Sequence, residues 1–191
     1  MMIKRINDSN IYEIDLSEFL TKQKDIMEKY KGKLAKNTRM EIIDKYFLQT
    51  MEEVWEVKNE SNPISKLYEE IDVLMYLASL YAVILDCEDS IVHPDKYFTI
   101  VDTSKENPFN FDNITDDLIS LRRLMPERKW HKSHNGSLSY INFIASDVVM
   151  DLMKKVINSI IYDEYKINSS KSVKIPIVEK YMGLKEESLL K

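Results

Sequence analysis

Four acidic side chains stand at a spacing that could bind a divalent metal ion. They form two pairs with the same three-residue spacing, Glu53 with Glu56 and Glu69 with Asp72. Residues three apart lie on one face of an α-helix, so each pair presents its two carboxylates in one direction. The chain therefore carries two acidic half-sites that a single turn could bring together.

That turn is predicted at Asn62-Pro63, where a capping side chain is followed by a proline suited to the first helical position. Glu53 and Asp72 are equally far from this junction along the chain, and so are Glu56 and Glu69. At the usual helical rise, the two opposing pairs would stand at matching heights, about 14 and about 10 Å from the turn. Two antiparallel helices joined here would bring the four carboxylates together.

Such a cluster favours a hard cation. At the rotation of an α-helix, the first pair lies at the border of the apolar arc that contains Ile42, and the second pair shares a face with Tyr76. Partly buried like charges must either take up protons or recruit cations. Oxygen-only ligands suit Mg²⁺, with Mn²⁺ as the alternative.

Two other interpretations of the acids remain open. With 32 acidic residues in the chain, about five pairs at this spacing are expected by chance. Glu53 and Glu56 could therefore belong to a solvated helix face, with Asp72 as a hydrogen-bonded buried acid. A di-iron carboxylate bundle is disfavoured, because it typically uses Glu-x-x-His on two helices and none of the histidines lies three residues after a glutamate.

Composition excludes several other kinds of site. The chain has 191 residues but only three glycines, which are far apart, so it lacks the glycine clusters of a P-loop or a dinucleotide-binding turn. Its single cysteine, Cys87, excludes an internal disulfide and a thiolate zinc cluster. Poverty in glycine and proline argues against a sandwich or barrel. A net charge of −5 argues against nucleic acid as the main partner.

Hydrophobic periodicity predicts an all-α fold, a helical bundle around an antiparallel helix pair that carries a carboxylate metal site. The predicted helices cover residues 16–30, 39–60, 64–86, 112–125 and 138–167, with a break at Gly32 after the first. Residues 87–114 are predicted to be a long connection that could hold a short extended piece. We expect one domain over residues 1–191, with a core motif at 38–86 packed by the long helix at 138–167.

The third helix is unusual because residues 71–85 are apolar nearly all round, with only Asp72 as a charged member. A helix of this kind is either central in a bundle or packed in a subunit interface. The run is shorter than the roughly 20 residues that span a bilayer, so no membrane partner is expected. With no segment typical of a signal peptide, a cytoplasmic location is expected.

At residues 52–57, EEVWEV, and 68–74, YEEIDVL, the chain resembles the MazG-like superfamily of all-α nucleoside triphosphate pyrophosphohydrolases. That superfamily includes dimeric dUTPases and phosphoribosyl-ATP pyrophosphohydrolase. Its pattern is Glu-x-x-Glu, a variable gap, and Glu-x-x-Asp followed by an apolar helix. The resemblance covers residues 38–86, about a quarter of the chain.

The resemblance implies Mg²⁺-dependent hydrolysis of a nucleoside triphosphate between its α and β phosphates, releasing a nucleoside monophosphate and pyrophosphate. By matching position, the implied metal ligands are Glu53, Glu56, Glu69 and Asp72. One of these four acids, Glu53 among them, or the neighbouring Glu52 would orient or deprotonate the attacking water. Gln49, one turn before Glu53, matches a position where many members carry glutamine and is a candidate substrate contact. The resemblance also implies a homodimer or a homotetramer.

Many members of that superfamily follow the second acidic motif closely with a basic segment that holds phosphates, and this chain does not. Its dense basic run lies at residues 122–132, with five positive charges and one negative. The candidate phosphate contacts in it are Arg122, Arg123, Arg128, Lys129 and Lys132. The alternatives are a solvated loop, or a patch that pairs with a neighbouring subunit. The displaced basic segment also leaves a second function open, a non-catalytic helical interaction module that retains the acids.

Overall fold

The computed structural model describes residues 1–6, 10–34, 39–85, 98–105, 109–125 and 135–169. Five helices dominate this part of the chain: α1 (Ser17–Leu34), α2 (Arg39–Asn59), α3 (Pro63–Leu85), α4 (Phe111–Leu124) and α5 (Asn135–Ser169). Three strands accompany them: β1 (Met2–Arg5), β2 (Ile11–Asp15) and β3 (Phe98–Asp102). The single-domain prediction over 1–191 reaches beyond these residues and stays a prediction.

The prediction of an all-α fold was incomplete, because the strands form a small antiparallel sheet in the order β1-β2-β3. The central strand places Ile14 opposite Ile3 on one side and Thr99 on the other. Ile14 and Val101 are buried in the hydrophobic core, and Tyr12 packs against it. The extended piece allowed for in residues 87–114 is confirmed as β3. The hairpin of β1 and β2 was missed.

Helix α3 lies at the centre and packs against α1, α2 and α5. Its largest apolar side chains, among them Leu67, Ile71, Leu74 and Leu77, are fully buried within this one chain. The apolar surface all round α3 is therefore explained by internal packing and is no longer an argument for a subunit interface. No described helix combines the length and hydropathy needed to cross a bilayer.

The turn between α2 and α3 forms as predicted. Asn62 caps α3, since its Oδ1 accepts hydrogen bonds from the backbone N–H groups of Ile64 at 2.9 Å and Ser65 at 3.2 Å. Pro63 occupies the first helical position. This cap fixes where α3 begins, and thereby the register of its acids relative to those of α2.

One predicted boundary was wrong, because α1 continues through Gly32 to Leu34. A glycine inside a helix costs only about 1 kcal/mol relative to alanine, which the packing of the rest of a helix can offset. A buried hydrogen bond joins α1 to α3, from Gln23 Nε2 to Ser79 Oγ at 2.7 Å. Ser79 in turn donates to the Met75 carbonyl at 3.0 Å.

Candidate metal centre

Three of the four predicted carboxylates meet between α2 and α3. Glu53 of α2 and Glu69 and Asp72 of α3 each offer one carboxylate oxygen, and these oxygens lie within 4.8 Å of one another. The helical spacing in each half-motif and the short turn between them together create this arrangement. We call these three residues the carboxylate trio.

The trio is largely shielded from water. Asp72 is only 8% exposed, and Glu53 and Glu69 are half-buried. Burial raises the pKa of Glu69, and the negative charges of Glu56 and Asp72, with a hydrogen bond to Glu56, raise it further. A hydrogen bond to Glu53 acts in the opposite direction. The raised pKa of Glu69 therefore reflects its burial and the negative charges that lie close to it between α2 and α3.

The donor set of the trio fits a hard divalent cation. Convergent carboxylate oxygens without nitrogen or sulfur are the ligands of Mg²⁺ and Mn²⁺. Crowded, partly buried acids are stabilised by a positive charge placed among them, since the alternative is protonation. The arrangement can therefore hold a cation and concentrate positive charge for an anionic substrate.

The other two predicted acids differ in position. Glu56 lies near enough to Glu69 to raise its pKa, so it stands at the edge of the trio. Glu52 is exposed on the surface of α2 and does not belong to the trio. The adjacent residues Glu52 and Glu53 thus point in different directions, as a rotation of about 100° per residue requires.

Gln49 lies one helical turn before Glu53, half-buried on α2. Its Oε1 is buried and accepts no hydrogen bond from the described residues. Buried amide oxygens are normally paired, and those without a protein partner often face a ligand, an ion or a water. The described residues supply no such partner, and the substrate contact at Gln49 stays a prediction.

The basic run is described only in part. The Nε of Arg122 makes an ion pair with Asp44 at 2.6 Å, which ties α4 to α2. Arg123 is exposed near the end of α4. Arg128, Lys129 and Lys132 lie outside the described residues. The structure thus gives Arg122 a structural partner and leaves its role as a phosphate contact a prediction.

Sequence reasoning missed one titratable group, Glu70, which is fully buried on a different face of α3 from the trio. Its Oε1 lies 3.7 Å from Lys66 Nζ and 3.4 Å from Ser159 Oγ of α5, while its Oε2 accepts no hydrogen bond from the described residues. Burial, followed by the charge of Asp163, raises the pKa of Glu70 to about 8.

A signal for Glu70 was present in the sequence. It lies three residues after Leu67 and four before Leu74, both fully buried, so it occupies a position in the apolar stripe of α3. The neighbouring Glu69 was predicted as a metal ligand instead, because Glu69 has an acid three residues later and Glu70 does not. Lys66 is shared between Glu70 and Asp163, at 3.7 and 3.6 Å.

Comparisons with protein-family models, with curated proteins and with solved structures found no match to this chain.

Proposed function

We propose that the protein is a Mg²⁺-dependent nucleotide pyrophosphohydrolase that cleaves a (d)NTP to a (d)NMP and pyrophosphate. The observation that carries this proposal is the convergence of Glu53, Glu69 and Asp72, whose carboxylate oxygens lie within 4.8 Å of one another. Three shielded acids can bind a metal that a triphosphate can share. The reaction class is the one implied by the resemblance of residues 38–86 to the MazG-like superfamily.

We further propose that α2 and α3 form the antiparallel pair of a helical bundle. Only residues 60–62 separate the two helices, and the trio joins them near this turn. Farther from the turn, the rings of Tyr46 and Tyr76 lie 6.5 Å apart. Contacts between α3 and α5, α5 and α4, and α4 and α2 support the bundle around this pair.

In this proposal Glu53, Glu69 and Asp72 hold the cation through their carboxylate oxygens. When bound, Mg²⁺ would neutralise charge on the phosphates and make the attacking water more acidic. Glu56, which lies near Glu69 at the edge of the trio, would accept a proton from that water. The water oxygen attacks one of the two phosphorus atoms joined by the α–β bridging oxygen. The bond between that phosphorus and the bridging oxygen breaks, and the products are a nucleoside monophosphate and pyrophosphate.

Of the two remaining candidate residues on α2, Gln49 has a role in this reaction and Glu52 has none. The buried Oε1 of Gln49 would accept a hydrogen bond from an N–H or O–H group of the substrate. Glu52 is exposed and outside the trio, so the proposed reaction gives it no proton-transfer role.

The experiment is a panel of dNTPs and NTPs with Mg²⁺ or Mn²⁺, in which pyrophosphate and orthophosphate are measured separately. Asp72→Asn and Glu53→Gln should each lower the rate by at least about 100-fold, because each removes a metal ligand. Glu41→Gln, the same substitution as Glu53→Gln at an exposed position of the same helix, is the control and should retain the rate.

Three outcomes would contradict the proposal in different ways. Orthophosphate as the product would keep the metal site but exclude cleavage between the α and β phosphates. No metal-dependent hydrolysis of any nucleotide would favour the interaction module that retains the acids. Full activity of Asp72→Asn would show that the reaction does not depend on the carboxylate trio.

A further inference from the structure

A cleft of about 460 Å³ lies where the end of α2 and the start of α3 meet the start of α4 and the C-terminal half of α5. Its volume is within the range of small-molecule sites. Three aromatic side chains form part of its wall, Phe109, Phe111 and Tyr162, and we call it the aromatic cleft. No member of the carboxylate trio lines it, so it is separate from the candidate metal centre.

Acids outnumber lysines among the described residues of this wall: Glu60, Asp112 and Asp163 against Lys58 and Lys66. Lys58 Nζ is paired with Asp112 at 2.9 Å. Lys66 Nζ lies between two other acids, 3.6 Å from Asp163 and 3.7 Å from the buried Glu70. Both distances exceed the usual length of an N–H···O hydrogen bond, so this part of the wall is short of donors and of positive charge.

Glu70 lies directly behind this part of the wall. Its side chain is 0% exposed, and its Oε1 lies 3.4 Å from the Oγ of Ser159, which lines the cleft. Its Oε2 accepts no hydrogen bond from the described residues. Buried carboxylate oxygens normally have a donor, so Glu70 independently indicates that a donor belongs at this end of the cleft.

We propose that the aromatic cleft binds a small organic amine, with the ammonium group beside Asp163 and Glu70 and the apolar body against the three aromatic rings. An ammonium group has three N–H donors and no acceptor, so it supplies both the donors and the charge that these acids lack. Aromatic faces also attract ammonium groups. Tyr162 already makes such a contact, because Lys166 Nζ lies 4.4 Å from the centroid of its ring. The Lys66 side chain, which is 39% exposed, can turn toward solvent and admit the ligand to Glu70.

Other classes of ligand fit the aromatic cleft less well. A phosphate or carboxylate group would be repelled by the excess of acids in the wall. A hard metal ion would gain nothing from the rings of Phe109 and Phe111, which offer no ligand atoms. An organic cation uses both the acids and the rings.

Titration of the full chain with 2-phenylethylamine, which is protonated at neutral pH, tests this inference when amide chemical shifts are followed by nuclear magnetic resonance. The alcohol 2-phenylethanol has the same aromatic body without the charge and should bind at least about tenfold more weakly. Asp163→Asn and Glu70→Gln should each raise the dissociation constant for the amine at least about tenfold, because each removes a carboxylate beside the ammonium group. Asp151→Asn, the same substitution as Asp163→Asn at an exposed position of α5, is the control and should bind like the wild type.

Several results would overturn the inference. One is a wild-type protein whose amide shifts do not saturate with millimolar amine, and another is equal affinity for the amine and the alcohol. A third is a set of shifts centred on the carboxylate trio instead of on residues 109–112 and 159–163. A fourth is unchanged affinity in Asp163→Asn, whose side chain is 25% exposed, so this variant decides the question even where Glu70→Gln does not fold. The titration contains no nucleotide, so its result is independent of whether the protein hydrolyses nucleotides.

Discussion

Glu69 is a proposed metal ligand whose pKa is raised by its surroundings. Its pKa is raised by burial and by the charges of Glu56 and Asp72, so protons compete with a cation for this carboxylate. Metal affinity should therefore fall as the pH is lowered through the elevated pKa. A carboxylate with an ordinary pKa would keep its affinity to lower pH.

Glu56→Gln tests this competition, because it removes one of the charges that raise the pKa of Glu69. The midpoint of Mn²⁺ binding against pH, followed by electron paramagnetic resonance, should move to lower pH in this variant. Glu41→Gln, on the same helix but exposed, should leave the midpoint in place. A midpoint that stays or rises in Glu56→Gln would show that Glu69 does not control the binding.

Glu70 makes a separate prediction about stability. Its pKa is about 8 in the folded protein against an ordinary value of 4.5, so the folded state binds this proton more tightly than the unfolded state. The stabilisation is complete below the unfolded value and is lost as the pH rises from 4.5 through 8. One such group changes the free energy of unfolding by at most about 1.4 kcal/mol per pH unit.

Glu70→Gln should flatten this decline, since an amide has no proton to lose. Urea unfolding at several pH values between the two pKa values would give the slope for the variant and the wild type. Glu41→Gln should keep the wild-type slope. An equally steep decline in Glu70→Gln would assign the pH dependence to other groups.

The adjacent acids Glu69 and Glu70 of α3 differ in how far the sequence predicts their environments. Glu69 has a partner at a recognisable spacing, so local pattern was enough to select it. The environment of Glu70 depends on Ser159 and Asp163, 89 and 93 positions further along the chain. Such long-range contacts cannot be read from one helix, although the apolar stripe around Glu70 indicated that it would be buried.

At the scale of the elements, α3 determines whether the site forms. It contributes two members of the trio and the centre of the hydrophobic core. Its limits, Pro63–Leu85, lie within a residue of the predicted span because a strong start signal at Asn62-Pro63 coincides with the apolar pattern. The β1–β2 hairpin was missed because its strands are short and depend on pairing with each other and with the distant β3.

A matched pair of substitutions tests the central position of α3. Ile71→Ala removes a fully buried side chain and should lower the free energy of unfolding by about 2–5 kcal/mol. Ile64→Ala removes the same atoms two turns earlier, at a position that is 37% exposed, and should cost less than about 1 kcal/mol. Denaturant unfolding of both variants gives the comparison, and equal losses would contradict the packing described for α3.

At the scale of the whole molecule, the helices around α3 support the trio and leave the outer face of α2 exposed. The inner face of α2 contributes Glu53 to the site, and the outer face carries Leu48 and Trp55. Glu53 therefore lies on the side of α2 that faces α3, and the exposed apolar side chains lie on its other side.

The central claim is that Glu53, Glu69 and Asp72 bind a divalent cation. Anomalous diffraction from crystals prepared with Mn²⁺ tests this claim most directly. We predict an anomalous peak between the three side chains, about 2.2 Å from their carboxylate oxygens, and its loss in Asp72→Asn. The absence of a peak between these carboxylates at millimolar Mn²⁺, or a peak bound elsewhere while the trio remains empty, would contradict the account.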